Sequence, residues 1–217
     1  MVHYRHTPSS GAADLRSVLA GAVFVWQHKP LLGALTLDLV AVLLGGATAL
    51  LPIFARDLLD TGPQGLGLLR AAPAVGALLM SLVLTRWPLQ RRVGHSLLAA
   101  VAVFGLANAV FGLSDHFVVS LLALAVTGAA DTISVVTRIT IMQLETPEDM
   151  RGRVSAVNSI FIGASNQLGE FESGVTAALW GPVASVVAGG LATVVVSVAW
   201  LRLFPALSQR DHMVAPP

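Results

Sequence analysis

Between Leu31 and Phe204 six apolar runs follow one another with only short connectors between them, and each is long enough to cross a bilayer. A hydrocarbon core about 30 Å thick needs about 20 residues of helix at about 1.5 Å per residue. Lipid offers the backbone no hydrogen-bond partners, so a run of this kind must satisfy its own amides and is helical. The expected spans are Leu31 to about Ala55, Leu66 to about Thr85, Ser96 to Leu113, Phe117 to about Met142, Arg153 to Trp180 and about Pro182 to Phe204. The first is interrupted by Asp38 and by Gly45-Gly46 and ends near Pro52; the second carries Arg70 near its start and Pro73 inside it. The fold class is therefore all-α, a multipass membrane protein.

Composition supports this. Of 217 residues 55% are hydrophobic and 12% charged, about half the charged share of an ordinary soluble domain. A net charge of +1 gives no reason to expect nucleic acid as a partner, because phosphate binding relies on clustered cations. The absence of cysteine removes disulfide frameworks and thiolate metal sites. The six histidines, at positions 3, 6, 28, 95, 116 and 212, fall in tails or connectors without ligand spacing. Neither an enzyme nor a cofactor is expected, and no Gly-rich phosphate loop couples the chain to ATP.

Asymmetry of the cations sets the expected topology. Arg5, Arg16 and Lys29 precede the first span, Arg86, Arg91 and Arg92 fill the second connector, Arg151 and Arg153 the fourth, and Arg202 and Arg210 the tail. The opposite connectors hold Arg56 with Asp57 and Asp60, then Asp115 with His116, then Gly181-Pro182. The positive-inside rule then puts both termini in the cytoplasm, and an even number of spans agrees with that.

Outside the spans, residues 1–13 read as a disordered, linker-like cytoplasmic tail without the pattern of a cleavable signal peptide. Asp14 can cap a helix over 14–29 in which Leu15, Val18, Leu19, Ala22 and Trp26 recur at helical spacing. That helix is expected to lie in the membrane interface, with a solvated linker helix or a seventh span as the other readings. Residues 30–205 form the six-span bundle and 206–217 a cytoplasmic tail.

The chemistry concentrates in one stretch, Glu145 to Gly174. Pro147 stops the preceding helix, Arg151 and Arg153 flank Gly152, and then Asn158, Ile162, Asn166, Glu170 and Gly174 fall at steps of four on one slowly drifting stripe. A carboxylate in hydrocarbon costs roughly 2.5–3.5 kcal/mol on insertion scales, so such a stripe faces a bundle interior or a water-filled cavity. Two placements stay open for Glu170, that cavity or the outer membrane edge. Gly105 with Ala109, at spacing four, suits close helix contact.

Three segments carry a resemblance: Pro52-Ile-Phe-Ala-Arg-Asp-Leu-Leu59, Gly65-Leu-Gly-Leu-Leu-Arg-Ala-Ala-Pro-Ala-Val-Gly-Ala77 and Met150-Arg-Gly-Arg-Val-Ser-Ala-Val-Asn-Ser-Ile-Phe-Ile-Gly163. Over about residues 14–205 the chain resembles the second half of a major facilitator superfamily transporter, in the branch of enterobactin-exporter-like efflux proteins also called transmembrane secretion effectors. The connector Arg86-Trp-Pro-Leu-Gln-Arg-Arg-Val-Gly-His95 resembles the superfamily's basic cytoplasmic loop without its acidic partner. The resemblance implies a bundle of six helices forming one half of a two-bundle fold, with substrate held between the halves. It implies a bacterial inner-membrane protein, the C-terminal half of a proton-coupled secondary efflux transporter for a small organic molecule such as a drug or siderophore. Its partners would be the lipid bilayer, protons, the substrate, and a missing N-terminal half or a second copy of the chain. Such a chain is not expected to transport as a monomer. The alternative reading is a non-transporting membrane interaction or regulatory protein derived from a truncated transporter.

A secondary transporter needs intramembrane groups that change protonation or partner between conformations. The candidates for proton coupling or the substrate pathway are Asp131, Glu170, Asp38, Asn166, Asn158 and Arg138; Arg86, Arg91, Arg92, Arg151 and Arg153 are candidates for gating in the cytoplasmic loops. Asp131, among Thr127, Gly128 and Thr132, is the leading candidate to carry a proton, against a structural hydrogen bond to a neighbouring helix. Asp38 is expected to be satisfied by Thr36 or nearby backbone, and Arg70 and Arg138 to snorkel to the interfaces.

Topology is directly testable. Reporter fusions after Asp60 and Asp115 should read as extracytoplasmic and those after Arg92 and Glu148 as cytoplasmic. A reversed reading at the Arg86–Arg92 connector defeats the assignment.

Overall fold

The computed structural model describes residues 15–89 and 92–208. Those residues form helices α1 (Leu15–Gln27), α2 (Lys29–Leu44), α3 (Ala47–Ile53), a π-helical turn (Phe54–Leu58), α4 (Gly62–Arg86), α5 (Val93–Leu113), α6 (Phe117–Glu145), α7 (Arg151–Trp180), α8 (Pro182–Leu203) and the short α9 (Pro205–Ser208). The expected tail over 1–13, the cap Asp14, the loop residue Arg91 and residues 209–217 lie outside the described part.

Proline and glycine set several boundaries. Pro63 and Pro182 sit in the first turns of α4 and α8, where a missing amide costs nothing. Thr146, held extended before Pro147 at φ −104° and ψ 121°, ends α6. Gly181, at φ +85°, lets the chain reverse between α7 and α8. The first span breaks at Gly45-Gly46 as expected. It does not break at Asp38, which lies inside α2, nor end near Pro52, which sits inside α3; the helical path continues to Leu58. Backbone hydrogen bonding around Pro52 is rearranged rather than lost, since the π-helical turn follows directly.

Three apolar clusters show how the helices run. One gathers Leu50, Leu51, Phe54, Leu69, Phe111, Leu124 and Val186, with Phe117 and Ala177 against it. The other two gather Leu37, Val93, Leu97, Ile141 and Leu207, and Val25, Leu31, Met142, Val154 and Val157. Apart from the end of α4, which leads directly to Val93, successive helix ends alternate between the first cluster and the other two, so the chain crosses the bundle six times. Lys29–Leu58, α4, α5, α6 and α8 are long and apolar enough to cross a membrane by composition alone. The more polar α7 crosses as well, because it carries the chain from Val154 in one end cluster to Ala177 at the other.

Both ends of the described chain meet at one face of the bundle. There α1 packs against the start of α7 and α9 buries Leu207. Lys29, Arg86, Arg92, Arg151, Arg153 and Arg202 sit on helix ends of that same face, and Asp57, Asp60 and Asp115 at the opposite one. The lateral surface exposes Leu78, Leu82, Leu106, Val110, Leu122 and Val195, as a bundle solvated by lipid requires.

Glycine brings backbones into contact at two crossings. A Cβ at Gly128 of α6 would overlap the Pro73 carbonyl of α4, and one at Gly76 would overlap the Ala125 carbonyl. In α5 and α8, Gly105 and Gly190 face each other, each leaving no room for a Cβ on the other. Lipid provides no hydrophobic drive between helices, so dispersion across such close contacts carries the association.

Gly128→Leu should therefore destabilise the chain by at least about 1–3 kcal/mol, the range for overpacking a tight contact. Gly152→Leu, where nothing lies within 4 Å of the added Cβ, is the control. Thermal unfolding of the purified chains in detergent checks it; equal stability of the two variants would overturn the contact.

Candidate functional site

The buried charge of the bundle is held where α2, α6 and α7 meet. Arg138 Nη1 lies 2.6 Å from Asp38 Oδ2 and donates to Asn158 Oδ1 at 3.3 Å. Arg138 is 4% exposed and Asp38 7%, so each charge depends on the other for neutralisation. This corrects two expectations. Arg138 does not snorkel to an interface, because Asp38 offers it a partner at mid-helix that saves it from reaching water. Asp38 does not turn to Thr36, whose hydroxyl donates to the Leu32 carbonyl at 2.6 Å instead.

Asp131 lies two turns before Arg138 on the same helix, which puts both on one face. The Arg138 guanidinium attracts it, and Asp38 repels it. Among the described residues, however, it has no direct hydrogen bond or ion pair. It instead lines a cavity of about 220 Å³ together with Thr48, Phe104, Asn108, Thr127, Asn166 and Glu170. A small recess on its other side is lined by Asp38, Asp131, Ser134 and Phe104. Asp131 thus stands between the fixed ion pair and the cavity.

The cavity lies beside the break in the first span, and its wall includes Gly45, Gly46, Ala47 and Gly128. At the break between α2 and α3, α7 comes close enough that a Cβ on Gly169 would lie 2.8 Å from the Val42 carbonyl. Asn166 and Glu170, four residues apart on the side of α7 next to Gly169, both line the cavity there. Of the two placements open for Glu170, the structure shows the cavity, at the level of the mid-span break.

Sequence reasoning brought Asp131, Asn166 and Glu170 forward, and they converge on the cavity; Asp38 and Arg138 form the adjoining pair, with Asn158 accepting from Arg138. Asn108, inside the third expected span, is not among the sequence-derived candidates. It is 3% exposed, lines the cavity, and its Nδ2 has no partner. Its signal was an amide between Ala107 and Ala109 in an otherwise apolar run. The loop arginines do not join this site. Arg151 reaches Glu148 at 3.9 Å and Arg153 reaches the Met150 sulfur at 3.3 Å. Arg86 and Arg92 make no ion pair among the described residues.

Chemically, the arrangement offers ionisable and amide groups around a polar cavity inside an apolar bundle, next to a charge pair already satisfied. Among the described residues no group of three or more His, Cys, Asp or Glu is placed to hold a metal ion.

Asp38→Asn should cost about 3–5 kcal/mol, the penalty for leaving a buried charge unpaired. Adding Arg138→Met to that variant should recover most of the loss, because no uncompensated charge then remains. Unfolding of the three chains in a mixed micelle series measures this; a single variant as stable as the parent would show that the pair is not what neutralises Arg138.

The sequence also matches known proteins. A family profile described as transmembrane secretion effector, of the major facilitator superfamily, matches residues 15–215. The enterobactin exporter EntS of Shigella flexneri is 30% identical over 203 residues, which cover 94% of this chain and 47% of that protein. The exporters of the same name from Escherichia coli O1:K1 and K12 are 28% and 27% identical over 97% of this chain and 50% of theirs. The chain thus spans about half the length of the curated relatives it matches. No solved structure matches.

Proposed function

Because the chain belongs to the transmembrane secretion effector family of the major facilitator superfamily, we propose that it forms the C-terminal six-helix half of a secondary transporter that exports a small organic molecule. The observation that carries this reading is the convergence of Asp131, Asn108, Asn166 and Glu170 on one cavity at mid-span, with Asn166 and Glu170 exposed on the bundle surface. A polar cavity open on that face is unfavourable against lipid and suits enclosure by a second six-helix bundle. Relatives twice as long that are named exporters support the same assignment.

In this reading Asp131 carries the coupling proton. It lacks the direct partner that Asp38 has in Arg138, so it can exchange a proton with the cavity without breaking the pair that holds α2 to α6. The face bearing the arginines is the cytoplasmic one of a bacterial inner membrane. The loop arginines Arg86, Arg92, Arg151 and Arg153 lie on that face, where they would meet the second bundle or the lipid headgroups during gating.

Asp131→Asn keeps the volume and much of the hydrogen-bonding capacity while removing the titratable proton. In cells supplied with a complementary six-helix half, proton-driven efflux should be abolished while membrane abundance holds. Efflux that persists unchanged across pH would leave Asp131 a structural residue and remove proton coupling from this half.

A further inference from the structure

We propose that the mid-span cavity is a binding site for a protonated amine that also carries a hydrogen-bond acceptor. The proposal deepens the transport reading above, on which its physiological meaning rests, by naming the substrate class.

Charge is the first argument. Asp131 and Glu170 line the cavity, and no Lys, Arg or His does. The nearest cation, Arg138, is held by Asp38. With their carboxylates ionised, Asp38, Asp131 and Glu170 set three negative charges against one guanidinium in a lipid-embedded bundle, an imbalance that favours a cation in the cavity.

Asn108 supplies the second, independent argument. Its side chain is buried, belongs to the cavity wall, and leaves Nδ2 without a partner. Buried amides are otherwise nearly always paired. Thr127, also in the wall, turns its hydroxyl to the Leu124 carbonyl at 2.6 Å. A ligand oxygen accepting from Asn108 would complete it.

Shape and lining narrow the class further. The Phe104 ring forms part of the wall and can take the edge or face of an ammonium-bearing aromatic group. A bare metal ion would leave most of about 220 Å³ unfilled. That volume lies below the roughly 300–1,000 Å³ of drug-sized pockets, so this half holds the amine-bearing head and the rest of the molecule extends out of the cavity over the exposed face of α7.

The test is equilibrium binding to the full chain purified in detergent, without a second half and without a pH gradient. The probes are 2-(4-methoxyphenyl)ethylamine, its alcohol analogue 2-(4-methoxyphenyl)ethanol, and 4-methoxyphenylacetate. The amine should bind at least about tenfold more tightly than either analogue, 1.4 kcal/mol, and Asp131→Asn or Glu170→Gln should each remove most of that preference. Elution volume and unfolding temperature report whether the variants fold; if neither does, the three-probe comparison on the parent chain decides alone. Equal binding of the three probes, tighter binding of the acetate, no binding of the amine, or an undiminished preference in both folded variants would each overturn the proposal. Efflux of neutral or anionic molecules by the assembled transporter, with no amine binding here, would overturn it while leaving the transport reading intact. Amine binding without any efflux would do the reverse.

Discussion

A guanidinium in the middle of a lipid-solvated bundle must find its counter-charge inside the protein, and Arg138 finds it on Asp38. Much of the interior follows from that pairing. It ties α6 to α2 across one hundred residues of sequence, and the hydrogen bond to Asn158 brings α7 to the same point. Because the guanidinium is committed to Asp38, Asp131 is left facing the cavity with attraction at a distance and no direct bond. Buried pairs add little net stability, since desolvation offsets much of their attraction. What this one contributes is position: it fixes which carboxylate is structural and which is free.

Packing imposes the complementary constraint. Close approach at Gly76 with Gly128 and at Gly105 with Gly190 holds α4 to α6 and α5 to α8, and these contacts need residues without side chains. The glycines of the cavity wall belong to such contacts too, since a Cβ on Gly45 would overlap the Phe104 ring and one on Gly46 the Ser173 hydroxyl. Small residues thus tighten the bundle wherever two backbones meet, the break in the first span included. The broken span is tolerated in lipid because it is covered: α7 lies against it through Gly169, and a Cβ on Gly189 of α8 would overlap the Leu44 carbonyl.

Local signals made most of the architecture legible. Hydrophobic runs, Pro147, Gly181 and the Gly45-Gly46 break depend on nearby residues, and the structure places helix ends close to where they point. The stripe on α7 also translated well, since steps of four along one helix need no tertiary information. Pairing between helices did not. The partner of Arg138 was invisible because nothing in the spacing of α2 relative to α6 says which faces meet, and snorkelling was the default for a cation with no visible partner. One cation and two carboxylates at mid-span depth could have suggested the pair, though not whether Asp38 or Asp131 would take it. Asn108 was missed for a similar reason: an isolated amide has no period, and only the cavity gives it meaning.

The stripe on α7 joins these two parts of the interior. A step of four residues turns about 40° beyond a full revolution, so the row drifts around its helix as it rises. Asn158 begins it, buried against Arg138; Asn166 and Glu170 follow at the cavity; Gly174 ends it on the outside, with nothing within 4 Å of a Cβ. A helix moves nearly as a rigid rod over a few turns. Any tilt or rotation of α7 that changes what Glu170 presents to the cavity therefore also moves Asn158 against the guanidinium. The cavity and the ion pair are mechanically one unit, and this follows from the four-residue spacing alone once Asn158 is anchored.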